Sequence, residues 1–179
     1  MVKDFKKTQV VAASKSAKLL FKITLFAAAV VDWAELLRNW ATSVSGATLT
    51  VALPFLEGTT DAEQAGHVLE CKAGSVTFSV APGETPTEGV ATVNGVLEGV
   101  DENSLEVAYG LQGEEVVAVV ERCSDGKKFI FANPCTGGAV FQYQTIGAQD
   151  GGEAGISFTL TGKDCPQPML VYDPAVNNG

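Results

Sequence analysis

The strongest structural constraint in this sequence is a run of β-branched residues, VVAVVER at 116–122, that precedes an Asp-Gly pair. Asp125-Gly126 separates this run from a second β-rich run at 128–132, Lys-Phe-Ile-Phe-Ala. Two such runs around an Asp-Gly pair are the strongest short-range signal for a β-hairpin. Further alternating runs follow up to Tyr172, so this part of the chain predicts a meander of strands joined by polar turns.

The alternation of apolar and polar residues predicts about eight strands in the whole chain. Short turns rather than helices separate these runs, which implies antiparallel pairing in a β-sandwich or barrel. Apolar residues at helical spacing predict one helix near residues 27–41, with Gly46 as its stop. The predicted fold class is therefore mainly β (α+β). An Asn-Gly pair at 94–95 predicts a second hairpin.

Several shorter segments are less clear in the sequence. Residues 19–26 fit either a strand or a helix, and residues 104–109 fit a strand or a short helix. Residues 47–53 alternate and predict a strand that Pro54 ends. Residues 57–66 form a polar, acidic stretch that predicts a loop with room for one helical turn.

Charge is distributed unevenly along the chain. Residues 1–22 contain six lysines and one acidic residue, whereas residues 57–121 contain 13 acidic residues and a single base, Lys72. Residues 1–18 lack hydrophobic periodicity, so we expect an extended basic arm followed by a single β-rich domain at 19–179. The charge split favours two interpretations equally: a head-to-tail contact between copies, or a solubilising pattern without a partner.

The overall charge and the N-terminal pattern limit the classes of partner. The formal net charge is −9, which argues against general nucleic-acid binding, because phosphate contacts need lysine and arginine. The lysines that precede the apolar run at 23–31 resemble a signal peptide, but this run starts late and continues into Asp32. It is also shorter than the ~20 apolar residues of a membrane-spanning helix, so we expect no membrane partner.

The sequence contains no catalytic, metal-binding or cofactor-binding motif that we recognise. We therefore expect neither enzymatic activity nor a cofactor, and we assign no catalytic or metal-ligating residue. The single histidine, His67, is interpreted as structural, because no nucleophile motif accompanies it. The glycine-rich stretch at 150–155 lacks lysine and opens no helix, so a phosphate site there is not expected.

The four cysteines include no C-x-x-C pair, and the single histidine makes a zinc site improbable on spacing. Cys123 and Cys135 flank the predicted hairpin, so they allow a disulfide across it. Buried free thiols are the favoured alternative for an intracellular protein.

The C-terminal half resembles the tail-tube or major tail proteins of tailed bacteriophages, particularly those of Bacteroidetes phages and prophages. The likeness runs from about Val116 to Pro174 and lies in the order of its elements. These are an apolar strand at 116–122, the turn Asp125-Gly126, an aromatic strand at 129–131, a small Asn-Pro/Gly-rich corner at 133–138, a strand ending near Ile146-Gly147, the loop Asp150-Gly151, a strand at 156–162, and the proline-bearing segments 166–168 and 171–174.

The resemblance implies a structural role in a virion that is assembled in the host cytoplasm. Such proteins form rings, commonly six-fold, that stack into a tube through which DNA passes without specific binding. Arms, loops and helices join successive rings, so it implies homo-oligomer contacts and contacts with other virion proteins. The candidate interface residues are Lys3, Lys6, Lys7, Lys15, Lys18, Trp33 and Trp40, together with the loop at 81–89. The candidate acidic lumen residues are Glu98, Asp101, Glu102, Glu106, Glu114 and Glu115.

Two alternatives follow from the same sequence. Capsid decoration and tail terminator proteins share much of this architecture, so the chain fits these other phage structural roles as well. The signal-like N-terminus fits an exported β-domain that binds a carbohydrate or a protein ligand.

Overall fold

A computed structural model describes residues 21–176, apart from 86–87, 133–136, 149–153, 163–164 and 166. The mainly-β fold class is confirmed, and the described residues form ten strands and three α-helices around a mixed sheet. The elements in chain order are β1 (Phe21–Ala27), α1 (Trp33–Ser45), β2 (Thr50–Val51), α2 (Asp61–Ala65), β3 (His67–Leu69), β4 (Thr77–Pro82), β5 (Gly89–Glu98), α3 (Glu102–Leu111), β6 (Glu115–Arg122), β7 (Lys128–Phe131), β8 (Ala139–Ala148), β9 (Ala154–Gly162) and β10 (Met169–Tyr172).

The backbone hydrogen bonds of six strand segments close on themselves as a barrel. β6 pairs antiparallel with β1 along its length and with β8 at its first residues. β8 continues to β9, and β9 continues to β5. β5 then pairs with the residues that follow β3, through a bridge between Cys71 and Leu97. Because β3 itself pairs with β1, the ring returns to its first strand.

Four further strands extend the sheet beyond this barrel. The hairpin joins β6 to β7, and β7 pairs antiparallel with β10. β10 pairs with the two-residue strand β2, and this pair is parallel, unlike the purely antiparallel sheet that we predicted. β4 pairs with the first part of β5 and forms the last strand at that side of the sheet.

β6 is the central strand and is buried on both faces. Val116, Ala118 and Val120 face the barrel interior, where they pack against residues such as Phe141 and Phe158. The alternating residues Val117 and Val119 face outward into a second core under α1. A strand that is covered on both sides needs apolar residues at every position, and this explains the continuous run at 116–120.

The single long helix that we predicted exists, but it starts six residues later than expected. Ala27 is the last residue of β1, and a short 3-10 turn occupies residues 28–30. Asp32 then caps α1, because its side chain accepts a hydrogen bond from the Glu35 amide at 3.0 Å. The helix ends at Ser45, and Gly46 follows as its C-cap, as predicted.

One of the two predicted hairpins is confirmed and the other is wrong. Asp125-Gly126 lies in the turn between β6 and β7, with Gly126 at a φ of 70°. Asn94 and Gly95 instead lie inside the continuous strand β5. Gly95 is opposite Phe158, and a Cβ added there would lie 2.7 Å from a ring atom of Phe158. This glycine therefore makes room for a core ring and does not form a turn.

The structure also resolves the unclear segments. β1 makes residues 21–26 a strand, α3 makes residues 104–109 helical, and α2 is the helical turn within 57–66. The strand expected at 47–53 is reduced to Thr50–Val51. Ala47 and Leu49 have positive φ values of 55° and 54°, so the extended conformation begins only after them.

The cysteines differ partly from expectation. Cys71 and Cys123 carry free thiols, but Cys123 is exposed, so the expectation of a buried thiol is wrong at this position. Cys123 follows the end of β6, beside the hairpin turn, where solvent reaches it. Burial raises the pKa of the Cys71 thiol to about 12. Cys135 lies outside the described residues.

Candidate functional site

The helix α3 closes one end of the barrel. Its first turn has a capping box: the Asp101 carboxylate accepts a hydrogen bond from the Ser104 amide at 2.8 Å, and the Ser104 hydroxyl accepts one from the Asp101 amide at 2.9 Å. The hydrogen bond from the Ser104 amide, together with the Ser104 hydroxyl, lowers the pKa of the Asp101 carboxyl. Ala108 is fully buried, and Leu105 and Leu111 pack against the barrel core. The apolar side of α3 is thus fixed, and its acidic side faces solvent.

Two grooves lie beside α3 at this end of the barrel. The larger has a volume of about 790 Å³ and lies between the end of β1, the start of β6 and the second half of α3. The smaller has a volume of about 530 Å³ and lies between β3, the end of β5 and the first half of α3. His67, Glu106 and Val107 line both grooves.

The six acidic residues that we selected from the sequence all lie at this end, which we call the acidic end. Each of them is exposed. Glu98 and Asp101 line the smaller groove, Glu114 and Glu115 line the larger one, and Glu106 lines both. Glu102 is the neighbour of Asp101 at the start of α3. The fold thus brings together carboxylates that are up to 17 positions apart in the sequence, from 98 to 115.

Two residues of the acidic end were missed in the sequence. Glu70 is exposed and lines the smaller groove, and His67 is exposed between the two grooves. Neither residue has a sequence signal, because they come from β3 and its extension, and only barrel closure brings that segment beside α3. Among the described residues, no group of three or more His, Cys, Asp or Glu is arranged to hold a metal ion.

The start of the described chain lies at the opposite end of the barrel. Phe21 pairs with Arg122, the last residue of β6, whereas Ala27 pairs with Val116 beside the larger groove. Six residue steps along a strand span about 20 Å. The five candidate lysines, Lys3, Lys6, Lys7, Lys15 and Lys18, lie outside the described residues. The first described residue, Phe21, therefore lies about 20 Å from the acidic end.

The two candidate tryptophans occupy different environments on α1. Trp40 is 3% exposed, and its indole N–H donates a hydrogen bond to the Gln167 carbonyl at 2.8 Å. It is therefore a core residue and presents no surface to a second subunit. Trp33 is half-buried, and its indole N–H donates a hydrogen bond to the Ala28 carbonyl at 2.9 Å.

The candidate loop at 81–89 is shorter than expected, because β4 extends to Pro82 and β5 begins at Gly89.

The acidic end can attract cationic groups and repel phosphates. Exposed carboxylates that line two neighbouring grooves create a negative potential over a concave surface, and salt screens this potential beyond about 8 Å under physiological conditions. Such a surface fits a lysine-rich segment better than it fits a nucleic acid. None of the helices in the described part of the chain is long and apolar enough to cross a membrane.

The chain matches no protein family model, no curated protein and no solved structure. The resemblance to phage tail-tube proteins, the virion location and the ring-forming partners therefore stay predictions from the sequence.

Proposed function

We propose that the protein is a structural virion subunit whose copies stack head to tail as a phage tail tube. The observation that carries this proposal is the polarity of the barrel. Phe21 lies at one end of the barrel and follows five lysines in the sequence, and six exposed carboxylates lie around α3 at the other end. When identical copies stack along the barrel axis, the basic arm of one copy meets the acidic end of the next.

Such a contact joins two different surfaces of the same chain. A contact of this kind repeats from copy to copy unless a rotation closes it into a ring. Stacking through the arm and the acidic end produces an open, extendable series, which is the geometry that a tube requires. The six-fold ring within each layer is carried by the resemblance alone.

The charge balance supports a passive DNA conduit. The chain has a formal net charge of −9, and the 13 acidic residues at 57–121 outnumber the single base there. A wall of this charge repels phosphates, so DNA passes without adhering to it. In this proposal the carboxylates of the acidic end have two roles. Some of them bind the lysines of the neighbouring arm, and the others face the lumen of the tube and repel DNA.

A second candidate function is ligand binding by an exported β-domain. The larger groove supports it, since 790 Å³ lies within the ~300–1,000 Å³ range of small-molecule sites. The exposed His67 and the apolar residues Leu25 and Val107 line this groove, as in a mixed polar and apolar site. Mass spectrometry of the protein from its native source separates the two candidates. Cleavage near residues 27–29 favours export, although it would remove the whole of β1, Phe21–Ala27, from the barrel.

The decisive test is the state of the purified full-length chain in solution. Multi-angle light scattering across the micromolar range is expected to show a mass that increases with concentration, because the head-to-tail contact is open. Negative-stain electron microscopy is expected to show tubes or stacked rings. Isolated rings or spikes would favour a terminator or decoration role. A strictly monomeric mass at every concentration would overturn the proposal.

A further inference from the structure

The outer surface of the barrel carries a wide patch without charged side chains. β8, β9, β5 and β4 lie side by side in this order, and each neighbouring pair is antiparallel. Their inward residues, such as Val93, Phe141 and Phe158, pack in the core, so the alternate residues point outward. The register places the outward residues in three rows, which we call the neutral face: Ser79, Thr92, Thr161 and Val140 in the first row, Thr77, Asn94, Thr159 and Gln142 in the second, and Val96, Ser157 and Thr145 in the third.

Hydrogen bonds between side chains connect the strands of the neutral face. The Thr159 hydroxyl donates to the Asn94 side-chain carbonyl at 2.8 Å, and the hydroxyl oxygens of Thr145 and Ser157 lie 2.9 Å apart. All residues of the neutral face are exposed or half-buried. A hydroxyl can donate one hydrogen bond and accept two, so these groups keep the capacity to bind a partner. The neutral face is therefore ordered by its own contacts and still offers hydrogen bonds.

Charged residues border the neutral face. Glu98 pairs with Gly155 at the end of β5, and a Cβ added to Gly155 would lie 3.2 Å from the Lys72 Cε atom. Glu115 of β6 pairs with Val140 and borders the neutral face on the β8 side. A centre that is depleted of charged residues within a polar rim is typical of protein–protein interfaces. The composition of this surface thus favours a protein partner.

We propose that the neutral face packs against the neutral face of a second copy, so that two barrels associate side by side. The chain has a formal net charge of −9, so two copies repel each other where their acidic surfaces meet. Contact through the neutral face brings no acidic side chains of the two copies together at its centre. Because both copies use the same surface, the contact closes after two subunits.

The side chains and the shape of the neutral face also fit a second copy. Threonine is β-branched and has few rotamers to lose, which lowers the entropy cost of association. Small-molecule sites, in contrast, are concave and mostly apolar. No residue of the neutral face lines either groove at the acidic end. A broad protein surface therefore matches this face better than a small ligand does.

The size of the neutral face sets the strength of the pair. Three strand spacings span about 14 Å, and four residue steps along β9 span about 14 Å. With the outer side chains included, the neutral face measures about 20 Å by about 20 Å, or about 400 Å². A stable complex buries about 800 Å² on each partner. We therefore expect a weak pair that is populated only in concentrated protein.

The side-by-side pair is independent of the proposed stack. The stack joins the two ends of the barrel through charges, whereas the neutral face lies on the barrel wall. Salt at 1 M shortens the Debye length to about 3 Å, which weakens a contact between charges and leaves a neutral contact intact. High salt therefore separates the two contacts, and loss of the stack at low salt would test only the head-to-tail contact.

Sedimentation equilibrium of the full-length chain in high salt, from micromolar to millimolar concentration, tests the pair. The parent is expected to show a monomer–dimer equilibrium. Thr161→Lys is expected to weaken pairing about ten-fold or more, because the contact would bury an ammonium group without a partner. Since this substitution makes the net charge less negative, repulsion between whole chains predicts the opposite change. The control, Thr42→Lys, adds the same charge at an exposed position of α1 and is expected to pair as the parent does.

Amide NMR shifts of the parent provide a second measurement that needs no variant. On dilution in high salt, the shifts of the neutral face are expected to change, and those of α1 are expected to stay constant. A parent that is monomeric at millimolar concentration would overturn the proposal. Equal pairing of Thr161→Lys and the parent, or equal weakening of the control, would overturn it as well. Shifts that follow added maltohexaose while the parent stays monomeric would assign the neutral face to a carbohydrate and also refute the pair.

Discussion

Neutralising two carboxylates at the acidic end is expected to weaken assembly. The variant Glu114→Gln/Glu115→Gln keeps the size and shape of both side chains but removes two charges from the larger groove. Both residues are exposed, so the substitution is not expected to disturb the core. A matched control, Glu57→Gln/Asp61→Asn, removes two exposed charges that line neither groove.

The magnitude follows from the exposure of these groups. An exposed ion pair contributes about 0.2–1 kcal/mol, so the loss of two pairs per contact costs about 0.4–2 kcal/mol. This corresponds to association that is about 2- to 30-fold weaker. The effect is expected to shrink as salt is raised, because the Debye length decreases from about 10 Å at 0.1 M to about 3 Å at 1 M.

Sedimentation velocity over a concentration series at low and high salt measures this effect. The parent and the control are expected to assemble over the same concentration range at low salt, and the Glu114/Glu115 variant is expected to need a higher concentration. At 1 M salt all three should converge. If the Glu114/Glu115 variant assembles as the parent does at low salt, or if the control is weakened equally, the acidic end is not the contact surface.

Two further predictions concern the fold. Gly95→Ala places a methyl group against Phe158 and is expected to destabilise the chain by about 1–3 kcal/mol. In the control Gly110→Ala, the new methyl group in α3 meets no atom within 4 Å, so this variant is expected to be more stable than the parent by about 0.5–1 kcal/mol. Equal urea midpoints of the two variants would contradict this prediction. Hydrogen bonds from Arg122 and from the Lys127 amide lower the pKa of Asp125 to about 2, so its contribution is present above about pH 4 and lost toward pH 2. The Tm difference between the parent and Asp125→Asn should therefore disappear over that range, and a constant difference would refute this.

The hairpin at the centre of the sequence was predictable because its determinants are local. Asp125 accepts a hydrogen bond from the Lys127 amide two residues away, and Gly126 adopts the positive φ that the turn requires. Arg122, only three residues before Asp125, completes the turn with a hydrogen bond at 3.0 Å. Every partner lies within a few residues, so the sequence contains the whole interaction.

The Asn94-Gly95 pair shows where local information fails. The same pair of residue types forms a turn in one context and lies within a strand in another. Here Phe158, which is 63 positions further along the chain than Gly95, decides the outcome, because its ring occupies the space that a side chain at 95 would need. Asn94 also accepts a hydrogen bond from the Thr159 hydroxyl at 2.8 Å.

The sequence by itself determined the mainly-β class, the central strand, the hairpin after it and the separation of basic and acidic segments. These properties depend on residue type and on spacing over a few positions. Only the tertiary structure decided that β3 and β5 meet to close a barrel, and that Glu70 and His67 join the six carboxylates at the end covered by α3. Long-range strand pairing has no local signature, since each pair is selected by packing against the whole core.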